Sequence, residues 1–228
     1  MEKQKYTAIV LAAGSGKRMN SKVHKQYLII QDRPVLYYSL KAFEDSAVDE
    51  IVLVVGKGEE KFCRKEIVDK YGISKVKAIV EGGKERYHSV FEGLKQTSDA
   101  DYVLIHDGAR PFVNQDIIRR CMQEVQKYQA CVVGMPVKDT IKIADEEGYA
   151  KQTPDRKNVW MIQTPQTFSY ALIYEAYEEM LKTEDTVITD DAMVLERIKG
   201  KKSKLSEGSY RNIKITTPED LLIANVYL

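Results

Sequence analysis

Tyr6-Thr7-Ala8-Ile9-Val10-Leu11-Ala12-Ala13-Gly14-Ser15-Gly16-Lys17-Arg18-Met19 runs from an apolar, β-rich segment into small residues and then cations, with Lys25 close behind. A buried first strand that empties into such a loop is the opening of an α/β sheet protein. Glycine reaches positive φ at low cost, and a chain without bulky side chains can turn its N–H groups toward an anion. Lys17, Arg18 and Lys25 add local positive charge. The composition fits a phosphate loop and also an ordinary glycine-rich turn with surface lysines. It does not match the commoner phosphate motifs. A Walker loop needs Gly five residues before its Gly-Lys pair and Ser or Thr after it. Here Leu11 and Arg18 hold those positions. A dinucleotide fingerprint needs a third glycine where Met19 stands.

The same alternation of short apolar runs and amphipathic stretches continues outward. Strands are predicted at residues 6–11, 50–55, 77–80, 102–105, 131–136, 159–163 and 212–215. Helices are predicted at 34–43, 59–70, 86–94, 114–128, 170–181, 189–199 and after Thr217-Pro218. Asn114, Thr189 and Thr217 read as N-caps and Gly200 as a helix stop. Parallel strands with crossover helices on both faces follow, and such sheets bind ligands at the carboxyl ends of their strands. The loops at 12–25, 82–89 and 106–112 then share one sheet edge.

Residues 137–158 break the pattern. Alternating segments flank Asp145-Glu146-Glu147-Gly148, which reads as a β-hairpin too poor in apolar residues to have its own core. A projecting arm that completes a homodimer is expected.

The bulk numbers bound the rest. The 228 residues carry a net charge of +1, so no global field points to nucleic acid or a membrane surface. The chain shows no signal-type apolar segment and no run of 18 apolar residues, and its three cysteines fit neither zinc spacing nor a disulfide framework. A single domain over 1–228 in a reducing, cytoplasmic setting is expected. His24, His88 and His106 show no ligand or nucleophile–base pattern. Trp160 and the 14 tyrosines read as packing residues, and the lysines at 199, 201, 202 and 204 as a solvated helix end and loop.

At the predicted sheet edge, Asp107 is a carboxylate suited to Mg²⁺, which favours few carboxylates plus substrate phosphates. The plain alternative is an Asp that holds turn amides, and the cationic loops beside it favour the metal reading. Arg110 can fork onto a phosphate or pair with Asp107. Gly82-Gly83 with Arg86 and Ser89 reads as a close-approach loop for a base or ribose, or as a plain helix entry. Lys214 alternates with Ile213 and Ile215 and points either to solvent or into the pocket.

Taken together, Leu11 to Met19, Lys25-Gln26-Tyr27-Leu28, Asp107-Gly108-Ala109-Arg110-Pro111-Phe112, Asp139-Thr140-Ile141-Lys142, Thr164-Pro165-Gln166, Thr189-Asp190-Asp191-Ala192 and Asn212-Ile213-Lys214-Ile215-Thr216 carry a family signature. In order and spacing the chain resembles, end to end, the 2-C-methyl-D-erythritol 4-phosphate cytidylyltransferases of non-mevalonate isoprenoid biosynthesis. The resemblance implies a Rossmann-like nucleotidyltransferase fold with a mostly parallel twisted sheet and a dimerising arm. It implies CTP as co-substrate, Mg²⁺ or another divalent cation, and pyrophosphate release. The CTP loop maps onto Ala12, Ala13, Gly14, Ser15 and Gly16, with Gly83, Arg86, Ser89 and Gly108 also on the nucleotide side. Transition-state cations map onto Arg18 and Lys25, and the metal carboxylate onto Asp107. Contacts to methylerythritol phosphate map onto Arg110 and Lys214, with Thr140 and Arg156 of a partner's arm. At Lys84 the chain departs from the family's Asp, so a ribose contact by that side chain is not carried over. A sister family, the ribitol 5-phosphate cytidylyltransferases, has Gly at the position of Ala13 and lacks Thr153-Pro154-Asp155-Arg156. A non-catalytic nucleotide-binding regulator would be expected to lose Arg18, Lys25 or Asp107, and all three are present.

Overall fold

The computed structural model describes residues 3–14, 24–183 and 187–228. In chain order the elements are β1 (Tyr6–Ala12), a helical turn at Lys25–Tyr27, β2 (Ile29–Ile30), β3 (Arg33–Pro34), α1 (Val35–Glu44) and β4 (Glu50–Val55). Then come α2 (Glu60–Cys63), which widens into a π-helical segment at Arg64–Asp69, β5 (Val76–Glu81), α3 (Arg86–Leu94), β6 (Tyr102–Asp107), α4 (Gln115–Tyr128) and β7 (Ala130–Pro136). The chain closes with β8 (Ile143–Ala144), β9 (Ala150–Gln152), a helical turn at Arg156–Asn158, β10 (Trp160–Ser169), α5 (Tyr170–Met180), α6 (Asp191–Lys199), β11 (Lys204–Glu207) and α7 (Pro218–Tyr227).

Seven strands form one sheet in the order β11-β7-β10-β6-β1-β4-β5. All adjacent pairs are parallel except the two made by β10, which runs antiparallel to both β6 and β7. Successive side chains point to opposite faces, so β1 serves two cores at once. Ala8 and Val10 face α1, α2 and α4 on one side, and Ile9 faces α3, α5 and α6 on the other. Burial on both faces explains why the strands read as nearly continuous apolar runs. As read from the sequence, Asn114 caps α4 by accepting from the Ile117 amide, and Thr217 and Asp220 form a capping box on α7.

Three expectations about the sheet change. The strand expected at 159–163 is the first half of β10, which continues through Thr164-Pro165-Gln166 to Ser169. Its register shifts between Ile162 and Gln166, and that irregularity accommodates a residue without an N–H. The segment at 212–215 is no strand. It is an extended stretch whose Ile215 amide donates to the Ala109 carbonyl (2.8 Å) while Ile215 packs with Ile30, Val35 and Ala224. The late strand is instead β11, inside the lysine-rich run expected to be a loop. It is an edge strand with Ser206 buried and Lys204, Leu205 and Glu207 exposed, and charge suits an exposed edge.

Residues 137–158 form an excursion closed at its base by the Val137 amide donating to Val159 (3.0 Å). Within it β8 and β9 pair antiparallel. Asp145 accepts from the amides of Glu147 and Tyr149, and Gly148 takes φ +90°. This is the acidic turn expected from the sequence, and both strands are exposed along their length.

Candidate active site

Because β1, β5 and β6 are parallel, the segments that follow them meet at one edge. A cleft of about 340 Å³ opens there. Ala12, Ala13 and Gly14 line it from β1, Lys25 and Gln26 from the following turn, Gly83, Lys84, Arg86 and Ser89 beyond β5, and Asp107 and Lys214 from the floor. Ser15, Gly16 and Arg18, expected here, lie outside the described residues.

Each side of the cleft is built by packing that leaves little freedom. A Cβ at Gly82 would fall 2.5 Å from the Ala13 Cβ and 2.6 Å from the Ser89 Oγ, so a side chain there would push the two loops apart. The Ser89 hydroxyl lies 3.1 Å from the Gly83 amide, which donates to it, and donates to the Glu85 carbonyl (3.2 Å), so it shapes the loop that faces the ligand space. Gly108 does not line the cleft. Its amide donates to the Leu11 carbonyl (2.8 Å), and a Cβ there would stand 2.9 Å from that same oxygen. Its lack of a side chain serves the junction of β1 and β6 beneath the cleft, which accounts for the glycine without any ligand contact.

Asp107 is the electrostatic centre. Its Oδ2 lies 2.9 Å from Lys214 Nζ and 3.6 Å from Arg110 Nε, and its Oδ1 lies 3.3 Å from Arg86 Nε. Burial alone would raise its pKa. The three cations outweigh burial and hold the carboxyl far below the usual carboxylate range. Of the two readings left open for Lys214, the structure takes the one that enters the pocket, and Arg110 pairs with Asp107 while donating to the Asn212 carbonyl (2.8 Å).

Arg86 is more committed than the sequence suggested. Its two terminal nitrogens bind both oxygens of Asp191, each at 2.8 Å, in a bidentate fork. Asp191 is fully buried and also accepts from the Tyr177 hydroxyl (2.6 Å). Gln166 of β10 accepts from the Asp191 and Ala192 amides (3.0 and 2.9 Å) and donates to Asp190 (3.0 Å). The cap of α6 is Asp190, accepting from Met193, in place of the expected Thr189. Asp191, Tyr177 and Gln166 are site-building residues that the sequence reading missed. The signal was present, because Asp191 shares its helix face with Val194 and Leu195, both buried, and a carboxylate on a buried face needs a cation.

His106 organises the floor. The Thr164 hydroxyl accepts from the Asp107 amide (3.0 Å) and lies 3.0 Å from His106 Nδ1, while Nε2 lies 3.1 Å from the Arg110 carbonyl. Burial lowers its pKa to about 4, so the ring is neutral and ties the 107–110 turn to β10. A second cleft of about 250 Å³, lined by Arg110, Thr164, Gln166, Thr189 and Asp190, shares Arg86, Asp107 and Lys214 with the first. Thr140 and Arg156 line neither cleft of their own chain. Both are exposed, and Arg156 donates to the Lys138 carbonyl (2.8 Å).

Residues 6–228 match the family described as 2-C-methyl-D-erythritol 4-phosphate cytidylyltransferase. The chain belongs to that family. A cytidylyltransferase of this name from Lachnoclostridium phytofermentans is 51% identical over 225 residues, covering 99% of this chain and 97% of the relative. Another, from Lachnospira eligens, is 54% identical over 224 residues, covering 97% and 98%. The solved 4-diphosphocytidyl-2C-methyl-D-erythritol synthase of Anaerococcus prevotii superposes with a TM-score of 0.86 at 38% identity, covering 98% of this chain and 96% of that one. The Thermus thermophilus cytidylyltransferase gives 0.78 at 30% identity, covering 96% of each. The cytidylyltransferase fold expected from the sequence is therefore the fold observed.

Proposed function

We propose that this protein transfers the cytidylyl group of CTP to 2-C-methyl-D-erythritol 4-phosphate, releasing pyrophosphate and 4-diphosphocytidyl-2-C-methyl-D-erythritol. One observation carries the reading. The nucleotide-sized cleft and its neighbour share Arg86, Asp107 and Lys214, so two anionic substrates would meet over the same two cations and the carboxylate between them. The loop at Ala12–Gly14 with Gly83 and Ser89 takes the nucleotide side, and Arg110 and Lys214 face the sugar phosphate.

The incoming phosphate oxygen is already ionised and attacks the α-phosphorus in line, so no protein nucleophile is needed. Lys25, with Arg18, offsets charge that builds on the phosphoryl oxygens and the leaving pyrophosphate. Lys214 and Arg110 hold the attacking phosphate. Among the described residues no group of three or more His, Cys, Asp or Glu could hold a metal ion. One buried carboxylate, Asp107, fits the donor set of Mg²⁺, which takes its remaining ligands from phosphate and water. When bound there, such a cation supplies further charge neutralisation.

The exposed arm, whose Arg156 and Thr140 line neither cleft of their own chain, supports a homodimer in which each arm completes the partner's second cleft. Free, buried Cys63, Cys121 and Cys131 support a reducing, cytoplasmic setting. Among the described residues no helix is long and apolar enough to cross a membrane. The test is pyrophosphate release with CTP, Mg²⁺ and either methylerythritol 4-phosphate or ribitol 5-phosphate. Release with the first is expected. Release only with the second, or with neither, overturns the reading.

A further inference from the structure

Lys25 lies on a single helical turn, Lys25–Tyr27, too short to hold its own position. Its neighbours are fastened on two sides. Gln26 donates to the Ala12 carbonyl (2.5 Å) at the end of β1. His24 and Tyr27 both reach Glu59, which precedes α2. His24 Nδ1 lies 2.8 Å from Oε1, and the Tyr27 hydroxyl donates to Oε2 (2.7 Å). The same Oε2 accepts the Gly56 amide (3.0 Å), which fixes the carboxylate to the end of β4. A Cβ at position 56 would fall 2.6 Å from that oxygen, so the carboxylate occupies the space that only a glycine leaves.

We propose that Glu59 is a positioning residue for the reaction, acting through the Tyr27 hydroxyl to fix the turn that presents Lys25 to the nucleotide cleft. Glu59 is not among the residues that line either cleft. A lysine stem loses rotamer entropy when ordered, so a fixed Cα is what lets its ammonium act without reorganising. The inference rests on the catalytic role proposed for Lys25.

The test uses Glu59→Ala, Glu59→Gln, Gly56→Ala and Lys25→Ala in the full chain, with kcat, KM for each substrate and thermal midpoint measured. Gly56→Ala displaces the carboxylate without altering it, and Glu59→Gln keeps an acceptor for Tyr27 and Gly56. Glu59→Ala and Gly56→Ala should each lower kcat between about tenfold and about a hundredfold, the cost of misplacing a catalytic group by up to an ångström. KM for the sugar phosphate should stay within twofold, and the double variant should be no worse than either single. Glu59→Gln should recover most of kcat. In a Lys25→Ala background, Glu59→Ala should add nothing. Near-wild-type kcat in Glu59→Ala with Lys25→Ala impaired overturns the brace alone, and near-wild-type Lys25→Ala overturns the reading of Lys25. Should Glu59→Ala not fold, Gly56→Ala decides: a folded variant with unchanged kcat refutes the proposal.

Discussion

Replacing Asp191 by alanine removes the acceptor of a bidentate arginine fork at the base of the cleft. Arg86 would keep only the 3.3 Å contact from Nε to Asp107, and the Tyr177 hydroxyl would lose its acceptor inside the core. Breaking a buried ion pair by removing one partner costs about 3–5 kcal/mol, because the other charge is left uncompensated. Arg86 retains 29% of its side-chain exposure, so water recovers part of that loss and the lower end applies, about 3 kcal/mol. For a chain of this size that corresponds to a fall in thermal midpoint of roughly 6–12 °C. Urea denaturation followed by circular dichroism measures the free energy directly, with Asp191→Asn expected to fall between wild type and alanine. Replacing both partners, Asp191→Leu with Arg86→Met, should restore much of the stability while leaving the nucleotide cleft impaired, since an apolar pair of similar volume needs no compensation. A loss below about 1 kcal/mol in Asp191→Ala would mean the pair behaves as a solvated surface bridge, and the fork would not be what fixes Arg86.

Lys25→Ala should raise the barrier by about 2.7–4 kcal/mol, the range for losing one preorganised donor at developing charge, read as kcat with saturating CTP. Co-expressing Lys25→Ala with Arg156→Ala should give mixed dimers with one intact site each, recovering about a quarter of wild-type activity if arms complete partner sites; no recovery despite subunit exchange would refute the shared site. Burial raises the Cys63 thiol from the ordinary 9.0 to about 11, and Tyr27 pulls it back only in part. The folded chain therefore keeps a proton that the unfolded chain releases first, so this contribution is complete below pH 9 and about 3 kcal/mol is lost as pH rises through 11. Cys63→Ser should flatten the alkaline limb of the stability profile relative to wild type.

The apolar runs located every strand of the parallel core, because strands buried on both faces leave a continuous signal. The sequence reading failed where that logic does not operate. β11 is a short edge strand with one buried residue, Ser206, and charged Lys204 and Glu207 at its exposed ends, so its composition resembles a loop. β10 contains Pro165 and a register break, so a local reading splits it, although its neighbours on both sides hold it as one strand. Ala12–Gly14 and Asp107 were legible because they end or follow buried strands, whereas Lys214 stayed open between solvent and pocket because the segment that carries it is no strand. Asp191 was not legible, because an acidic pair at a helix start has a sufficient local explanation in the helix dipole. Its shared helix face with Val194 and Leu195 was the available signal, and the fork to Arg86, 105 residues away in sequence, shows that Asp191 is the acid that faces inward.

That hidden carboxylate explains why the cleft can exist before substrate arrives. Arg86, Arg110 and Lys214 converge on a space walled by protein, where unpaired cations would be costly and would repel one another. Asp107 and Asp191 leave this group one positive charge in excess. They do so unequally. Asp191 takes both ends of the Arg86 fork at 2.8 Å, beneath the cleft, while Asp107 pairs closely with Lys214 (2.9 Å) and meets Arg86 only at 3.3 Å and Arg110 at 3.6 Å. If Arg86 were free to fork onto Asp107, that carboxylate would be saturated, and its place at the cleft surface would carry no chemistry. By holding the guanidinium from below, Asp191 limits Arg86 to a single weak contact and leaves Asp107 to face the ligand space. The incoming phosphates then meet cations already aligned and need only replace a carboxylate as their counter-charge, which is the condition for stabilising charge without reorganisation during the reaction.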